Sequence, residues 1–325
     1  MNRGRIIAGA LAALLAVPAL SQSAPSAQPP PHTLPYPDLA SGKTEGERRK
    51  SYELSPELHR GLAPGAMRLQ ARRLDDALAD LAPQRAGTAE AYVLSIALDS
   101  DPVFAREARE AGRVLAARYG AQGRTLTLAG PDGVSDDLPH GSITALLTTL
   151  EHLGTVMDGK EDVLVLYTTS HGADIGLAYH FGDSGYGILS PKTLKTALEQ
   201  AGISRRVLIL SACYSGVFVP VLASPDTAIL TAAASTRSSF GCVAENDWTY
   251  FGDALINRAL RQPVGLEEAA RMAGRSVAEW ENRSKFLASL PQVSIGAGAK
   301  GWLPVIEAGM PKQPGKPVGR PAVED

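Results

Sequence analysis

The chain has 325 residues, of which 44% are hydrophobic and 20% charged, and its formal net charge is -2. This length is sufficient for one large domain or two small ones, and the composition is that of a folded globular protein. The net charge is close to neutral and the sequence has no long basic run, unlike a typical nucleic-acid-binding protein. No nucleic acid is therefore expected as a partner.

Residues 1–24 have the pattern of an export signal. Arg3 and Arg5 precede an apolar run over residues 6–19, and small residues follow it. The run is shorter than the roughly 20 apolar residues of a spanning helix and contains Pro18, which favours a cleaved signal peptide over an uncleaved membrane anchor. We therefore expect a periplasmic or secreted protein with no stable membrane span after signal cleavage.

Proline-rich segments flank a central region of ordinary composition. Residues 25–60 are rich in Pro, Ser, Gly and charge, which predicts a flexible linker. Residues 311–325 are again proline-rich and predict a disordered tail. The folded domain is therefore expected over residues 61–310.

The central region alternates strand and helix patterns. Short apolar runs predict strands over residues 91–98, 124–129, 162–169, 206–210 and 228–234. Amphipathic spacing and capping residues predict helices over residues 67–81, 102–119, 142–157, 191–201, 248–260 and 265–286. Apolar strands separated by helices predict an α/β domain in three layers, with a mostly parallel central sheet covered on both faces. In such sheets, ligands bind beyond the carboxyl ends of the strands.

Two of the predicted strands end in reactive side chains. The strand over 162–169 runs into His171 and Gly172, and the strand over 206–210 runs into Cys213. A lone histidine or cysteine is more often structural, but the pair at two strand ends favours catalysis. An imidazole can take the proton of a thiol, whose reference pKa is about 8.5, and later protonate a leaving amine. The amides of Gly172 and Cys213 would then stabilise the oxyanion of a tetrahedral intermediate.

The order of these blocks resembles the caspase-like clan of cysteine peptidases. A hydrophobic block ending in His-Gly, followed by a second block ending in Ala-Cys, is the layout of this clan. Residues 231–242 and 249–253 further resemble the legumain family, which includes the asparaginyl endopeptidases and the catalytic subunit of the GPI transamidase. The resemblance covers residues 91–260, and it implies a caspase-like three-layer sandwich with His171 and Cys213 as the catalytic dyad.

The same resemblance implies a set of substrate-pocket residues. Ser238 or Ser239, together with Asp253, matches positions that line the pocket for the residue before the scissile bond. Ser211 stands where legumains carry an acidic residue that helps to form this pocket. Without the resemblance, the two serines are interpreted equally well as turn caps, and Asp253 as a solvated aspartate.

Departures from the legumain pattern leave asparagine specificity open. The acidic residues before and after the nucleophile are replaced by Ser211 and Tyr214. The asparagine that orients the catalytic histidine in legumains has no counterpart, since residues 99–101 read Asp-Ser-Asp. For the arginine that assists recognition, Arg106 is a candidate.

Three other patterns in the sequence are typical of different functions or would prevent catalysis. Residues 182–185 copy the Gly-Asp-Ser-Gly motif of trypsin-like serine peptidases, but those proteins are all-β, and the segment is interpreted as a turn. The six histidines show no paired metal-ligand spacing, so neither a metal site nor a cofactor is predicted. A disulfide between Cys213 and Cys242 would block catalysis. Because active legumains carry a cysteine that matches Cys242, we predict that it is free and near the pocket.

The sequence thus predicts a cysteine-type endopeptidase that hydrolyses peptide bonds through a thioester at Cys213, with protein or peptide substrates. Two alternatives stay open. One is a transamidase or peptide ligase, in which the same dyad passes the acyl group to an amine. The other is a non-catalytic binding module on a caspase-like fold, against which the presence of both His171 and Cys213 argues.

Overall fold

The computed structural model describes residues 27–323, so the predicted signal peptide over residues 1–24 lies outside the described residues. The strands are, in chain order, β1 (Glu57–His59), β2 (Ala91–Ala97), β3 (Thr125–Leu128), β4 (Val163–Thr169), β5 (Gly172–Ala173), β6 (Gly176–Phe181), β7 (Gly185–Leu189), β8 (Arg206–Ser211), β9 (Thr227–Thr231) and β10 (Gln292–Ile295). The helices are α1 (Glu45–Ser51), α2 (Pro64–Ala79), α3 (Pro102–Tyr119), α4 (Ile143–Val156), α5 (Pro191–Gln200), α6 (Val219–Leu222), α7 (Tyr250–Gly252), α8 (Leu266–Arg283) and α9 (Ala297–Glu307). Within the described part of the chain, no helix has the length and apolar character that crossing a bilayer requires.

Six strands form the central sheet, in the spatial order β10-β9-β8-β4-β2-β3. Every pairing in this sheet is parallel except that of β10, which runs antiparallel to β9 at one edge. All residues of β2, β4 and β8 are buried, since helices cover both faces of the sheet. The predicted α/β class with a mostly parallel central sheet is confirmed.

The two faces of the sheet bury separate apolar clusters. Val165 and Tyr167 of β4 belong to the cluster that includes α3, α8 and α9. Leu164 and Leu166 of the same strand belong to the cluster that includes α2, α4 and α5. Successive side chains of a strand point to opposite faces, so a continuously apolar strand serves both layers of helices. The domain therefore has the three layers that the sequence predicts.

Local sequence sets most helix boundaries close to prediction. Helix α3 begins with Pro102 in its first turn and ends before Gly120, whose φ of 63° is left-handed. Ser142 caps α4, because its hydroxyl accepts the Ala145 amide at 3.0 Å. The predicted helix over 248–260 differs, since the chain there forms α7, a π-helical segment and a 3₁₀ turn in succession.

A second, antiparallel sheet follows β4 in the chain, with the spatial order β1-β7-β6-β5. The sequence does not predict it, because glycines interrupt the apolar residues of β6 and β7. Residues 182–184 form the turn between these two strands and Gly185 begins β7, so the Gly-Asp-Ser-Gly sequence lies at a turn as predicted.

The described part of the predicted linker lies against this second sheet. The Thr33 amide donates to the Asp183 carboxylate at 2.8 Å, and the Tyr36 hydroxyl donates to the Gly187 carbonyl at 2.6 Å. Strand β1 then pairs with β7. Where composition predicts a flexible linker over 25–60, the segment therefore has fixed partners, because an extended proline-rich chain leaves its other amides free to bond elsewhere.

The predicted tail also packs against the domain. The Trp248 indole N–H donates to the Val318 carbonyl at 2.9 Å, and the Asn257 side chain bonds both the amide and the carbonyl of Val318. These contacts are a correction to the disorder predicted over 311–325, as far as the chain is described. The physical reason is that a buried amide side chain and an indole find backbone partners in the extended tail.

Candidate active site

Two neighbouring strands of the central sheet end side by side, and each continues into a reactive residue. Thr169 of β4 is paired with Ser211 of β8, and the Ser170 amide donates to the Ser211 carbonyl at 3.2 Å. His171 and Cys213 each follow their paired strand end by two residues. The structure therefore brings both to the same carboxyl edge of the sheet, as the sequence predicts.

Gly172 lies against the backbone of the turn that carries the cysteine. A Cβ atom built on Gly172 would lie 2.1 Å from the carbonyl oxygen of Cys213, so a side chain here would push the two strand ends apart. The Ala178 amide donates to the His171 carbonyl at 3.0 Å, which makes Gly172 and Leu177 a non-hydrogen-bonded pair of β5 and β6. The Gly172 N–H therefore points away from β6 and is available to another acceptor.

An aspartate from the loop after β2 holds the imidazole of His171. The Nε2 atom lies 3.5 Å from Asp101 Oδ2, and Phe104 packs edge-on against the ring with centroids 5.1 Å apart. The hydrogen bond with Asp101 is the largest cause that raises the pKa of His171 to about 10, and the contact with Cys242 is the second. The contact between Asp101 and His171 also lowers the pKa of Asp101. His171 therefore carries a proton at neutral pH. Asp101 supplies the orienting group for which the sequence offered no asparagine.

The thiol of Cys213 faces the loop that follows β9. The Ser239 amide donates to Cys213 Sγ at 3.2 Å, and the Ser239 carbonyl oxygen lies 3.5 Å from the same sulfur. Tyr214 adopts a left-handed φ of 57°, which turns the chain sharply after the cysteine. Both Cys213 and Cys242 are free thiols.

A fully buried carboxylate lies behind the two strand ends, and the sequence did not reveal its role. Glu107 Oε1 accepts the hydroxyls of Tyr167 at 2.5 Å and Thr169 at 2.8 Å. It also accepts the Ser211 hydroxyl at 3.3 Å, while Oε2 accepts the Thr249 amide at 2.6 Å. Burial raises the pKa of Glu107. In the sequence, Glu107 could have been noticed as an acidic residue on the apolar face of α3. In the structure, its carboxylate connects both strand ends to the loop before α7.

Two of the four predicted pocket residues lie in the interior. Ser211 is 2% exposed, and Asp253 is 0% exposed with its carboxylate accepting the Asn257 side-chain amide at 2.8 Å. The prediction that these two line an open pocket is corrected, because the strand end and the π-helical segment turn both side chains inward. Ser239 contacts the thiol and Ser238 is exposed next to it, so these two remain pocket candidates.

Arg106 holds the loop that carries the second cysteine. Its guanidinium donates to the carbonyls of Ala244 and Asn246, each at 2.5 Å, and pairs with Asp247 at 2.9 Å. Arg106 therefore fixes the segment that follows Cys242, and its remaining amino group donates to the Asp132 carbonyl at 3.1 Å.

Side chains with the composition of metal ligands occur in one further place in the described chain. His32, Asp99 and His180 lie together there, with one ligand atom of each within 4.8 Å of the others. This group lies next to the His171 site, since His32 Nε2 is 3.9 Å from the Asp101 carboxylate that contacts His171.

A parallel sheet that presents a free thiol and an imidazole at one carboxyl edge is the framework of a cysteine peptidase. Residues 143–298 match the family model of the Peptidase C13 family. This match spans a little under half of the chain, and together with the thiol and imidazole at the sheet edge it supports a legumain-like cysteine peptidase.

Comparisons with solved structures gave 84 matching chains. One of them is the crystal structure of caspase-1 from Spodoptera frugiperda, which is 12% identical with a TM-score of 0.41 and covers 64% of this chain and 86% of that chain. A search of curated proteins found no match.

Proposed function

We propose that the chain is a cysteine-type endopeptidase that hydrolyses peptide bonds through a thioester at Cys213, with His171 as the proton-transfer partner. The proposal rests on the pairing of Thr169 in β4 with Ser211 in β8. His171 and Cys213 each lie two residues beyond this pair. The Peptidase C13 match supports the class of reaction.

Acylation begins when Cys213 Sγ attacks the carbonyl carbon of the scissile peptide bond. The carbonyl oxygen becomes an oxyanion and accepts hydrogen bonds from the amides of Gly172 and Cys213. The C–N bond breaks as His171 gives its proton to the departing amine. Water then attacks the thioester carbonyl, His171 takes a proton from that water, and the C–S bond breaks to release the acid and restore the thiolate.

The charge state of the site supports this sequence of steps. The raised pKa of His171, caused first by Asp101, keeps a proton on the imidazole before substrate binds. The Ser239 amide donates to Cys213 Sγ at 3.2 Å, which places a hydrogen-bond donor at the nucleophile. An imidazolium and a thiolate are the forms that acylation requires, since the first step uses a nucleophile and the second an acid.

Cys242 is the competing nucleophile, because it lies beside His171 and contributes to the raised pKa of that residue. Three observations favour Cys213. It follows a strand of the central sheet, its sulfur accepts the Ser239 amide, and the Gly172 amide lies at the same turn. Cys242, in the loop before α7, lacks the first and third of these features.

The test compares Cys213→Ala, Cys242→Ala and His171→Ala in a peptide-library cleavage assay and in labelling by a thiol-directed peptidyl inhibitor. We expect Cys213→Ala to lose cleavage and labelling, and Cys242→Ala to keep both. His171→Ala is expected to lower kcat by about 10²–10⁴-fold. Cleavage by Cys213→Ala together with an inactive Cys242→Ala would move the nucleophile to Cys242, and wild-type activity in all three would refute cysteine catalysis.

We further propose that residues 1–24 direct export and are removed, which leaves a periplasmic or secreted enzyme. The basic start and the short apolar run support this proposal. Amino-terminal sequencing of the protein recovered outside the cytoplasm tests it, and a chain that keeps Arg3 and fractionates with the cytoplasm contradicts it.

A further inference from the structure

Three ligand-type side chains converge from three separate segments of the chain. Asp99 follows β2 at the carboxyl edge of the central sheet, and His180 belongs to β6. His32 comes from the N-terminal segment and lies with its ring centroid 4.2 Å from that of His180. One ligand atom of each residue lies within 4.8 Å of the other two.

The backbone fixes two of the three side chains relative to each other. The His180 amide donates to the Leu98 carbonyl at 2.9 Å, and the Ser100 amide donates to the His180 carbonyl at 2.9 Å. The Asp101 amide donates to Asp99 Oδ1 at 2.9 Å, which orients the carboxylate and leaves Oδ2 directed elsewhere. Preorganised ligands with an oriented carboxylate are what a metal site requires.

The two imidazole nitrogens of His180 have no hydrogen-bond partner among the described residues, although the side chain is only 16% exposed. Its Nδ1 lies 3.7 Å from Asp99 Oδ2, beyond hydrogen-bonding distance. Its Nε2 is buried and has no hydrogen-bond partner among residues 27–323. The rings of Tyr36 and Tyr186 pack against the imidazole. The nitrogen that faces Asp99, and that is therefore available to a metal ion, is Nδ1.

We propose that His32, Asp99 and His180 form a binding site for a divalent transition metal of the Zn²⁺ class. Two imidazoles and one carboxylate are a donor set that such ions prefer over Mg²⁺ or Ca²⁺. In a tetrahedral site with bonds of about 2.0–2.1 Å, ligand atoms lie about 3.4 Å apart. The 3.7 Å between Asp99 Oδ2 and His180 Nδ1 is close to that spacing, and the spacings within the group, which reach up to 4.8 Å, require the more exposed His32 side chain to move inward. Water completes the coordination.

The site joins the N-terminal segment to the sheet edge. His32 already accepts or donates a hydrogen bond with the Ser100 hydroxyl at 3.0 Å, so the segment is docked before metal binds. A bound ion would add bonds from His32 to Asp99 and His180, and would fasten residues 27–43 to the catalytic domain. The expected consequence is that the metal protects this segment from proteolysis and raises the melting temperature.

The experiment uses the full chain, purified without a polyhistidine tag and stripped with a chelator. Zn²⁺ binding is measured by calorimetry, and the visible d–d absorption of Co²⁺ reports tetrahedral coordination by nitrogen and oxygen. We expect one ion per chain. Because loss of an outer-shell partner alone weakens metal affinity by about 10–100-fold, His32→Ala and His180→Ala should each weaken it by about 100-fold or more.

Two controls separate this site from others that bind zinc. His152→Ala removes a histidine of α4 far along the chain from the three ligands and should leave the affinity unchanged. Alkylation of Cys213 and Cys242 should also leave it unchanged. Binding that survives in both ligand variants but is lost on alkylation would overturn the proposal, as would a wild-type chain that binds no Zn²⁺. The measurement reads metal binding alone, so its outcome is independent of the proposed peptidase activity.

Discussion

Replacing Glu107 by alanine is expected to destabilise the fold by roughly 4–6 kcal/mol. The substitution removes the acceptor of the Thr249 amide and of the hydroxyls of Tyr167, Thr169 and Ser211. A buried donor that loses its partner costs about 1–3 kcal/mol. The amide cannot turn to another acceptor and carries the full cost, whereas each hydroxyl can rotate and carries the lower end of that range.

The isosteric change Glu107→Gln gives a smaller effect whose pH dependence is informative. The glutamine oxygen can accept the Thr249 amide, and two of the three hydroxyls can rotate to accept its two N–H hydrogens, so the cost is about 1 kcal/mol at low pH. Burial raises the folded-state pKa of Glu107 above its unfolded value of about 4.3. As pH rises, the unfolded chain therefore loses its proton first, and wild-type stability falls until the pH passes the folded pKa. Glutamine does not titrate, so the difference between wild type and Glu107→Gln should shrink with rising pH.

Urea unfolding followed by circular dichroism, at about pH 5 and about pH 8, measures both effects. Glu279→Gln, on an exposed position of α8, is the matched control and should change stability by less than about 0.5 kcal/mol. Two results would refute the reasoning. One is a Glu107→Ala variant within about 1 kcal/mol of wild type, and the other is a Glu107→Gln penalty that grows with pH.

Three further predictions concern the sheet edge and the tail. In Asp101→Asn, the pKa of His171 should fall from about 10 toward its usual value. The alkaline limb of the pH profile of kcat/KM should therefore move down by at least about 1 pH unit, and an unmoved limb contradicts the assigned contact. Gly172→Ala, whose Cβ would lie 2.1 Å from a carbonyl oxygen, should lower kcat by about 10²-fold or more, while Gly274→Ala in the open part of α8 should keep activity in the same assay. Removal of residues 311–325 should lower the melting temperature by at least about 2–4 °C in calorimetry, and an unchanged value would show that the docked tail adds no stability.

Much of the central domain was predictable because its elements carry strong local signals. Strands β2 and β4 are buried on both faces, so they read as unbroken apolar runs, and their positions were predicted to within one or two residues. Helix α3 was predicted with its observed bounds, since Pro102 and Gly120 mark its two ends. The second sheet was missed because Gly185 and Gly187 weaken the strand pattern of β7, and its stability comes from partners distant in the chain.

Long-range partners explain the other differences. Composition predicted a flexible N-terminal segment, yet Tyr36 bonds Gly187, which is 151 residues away. A proline-rich composition indicates only that a segment does not form a helix or strand by itself. It does not indicate which surface of the folded domain the segment packs against. The same limit applies to Asp253, whose side chain turns toward Asn257 and the tail, away from a pocket.

The amino-acid sequence alone determined that His171 and Cys213 each follow an apolar strand, because that pattern depends on local burial and spacing, whereas the pairing of β4 with β8 came from the tertiary structure. Tertiary structure alone decided that Asp101 holds the imidazole, that Glu107 braces both strand ends from α3, and that His32 lies near Asp99. The physical reason is that hydrogen bonds and ion contacts act over a few ångströms, and only packing brings groups separated by scores of residues within that range.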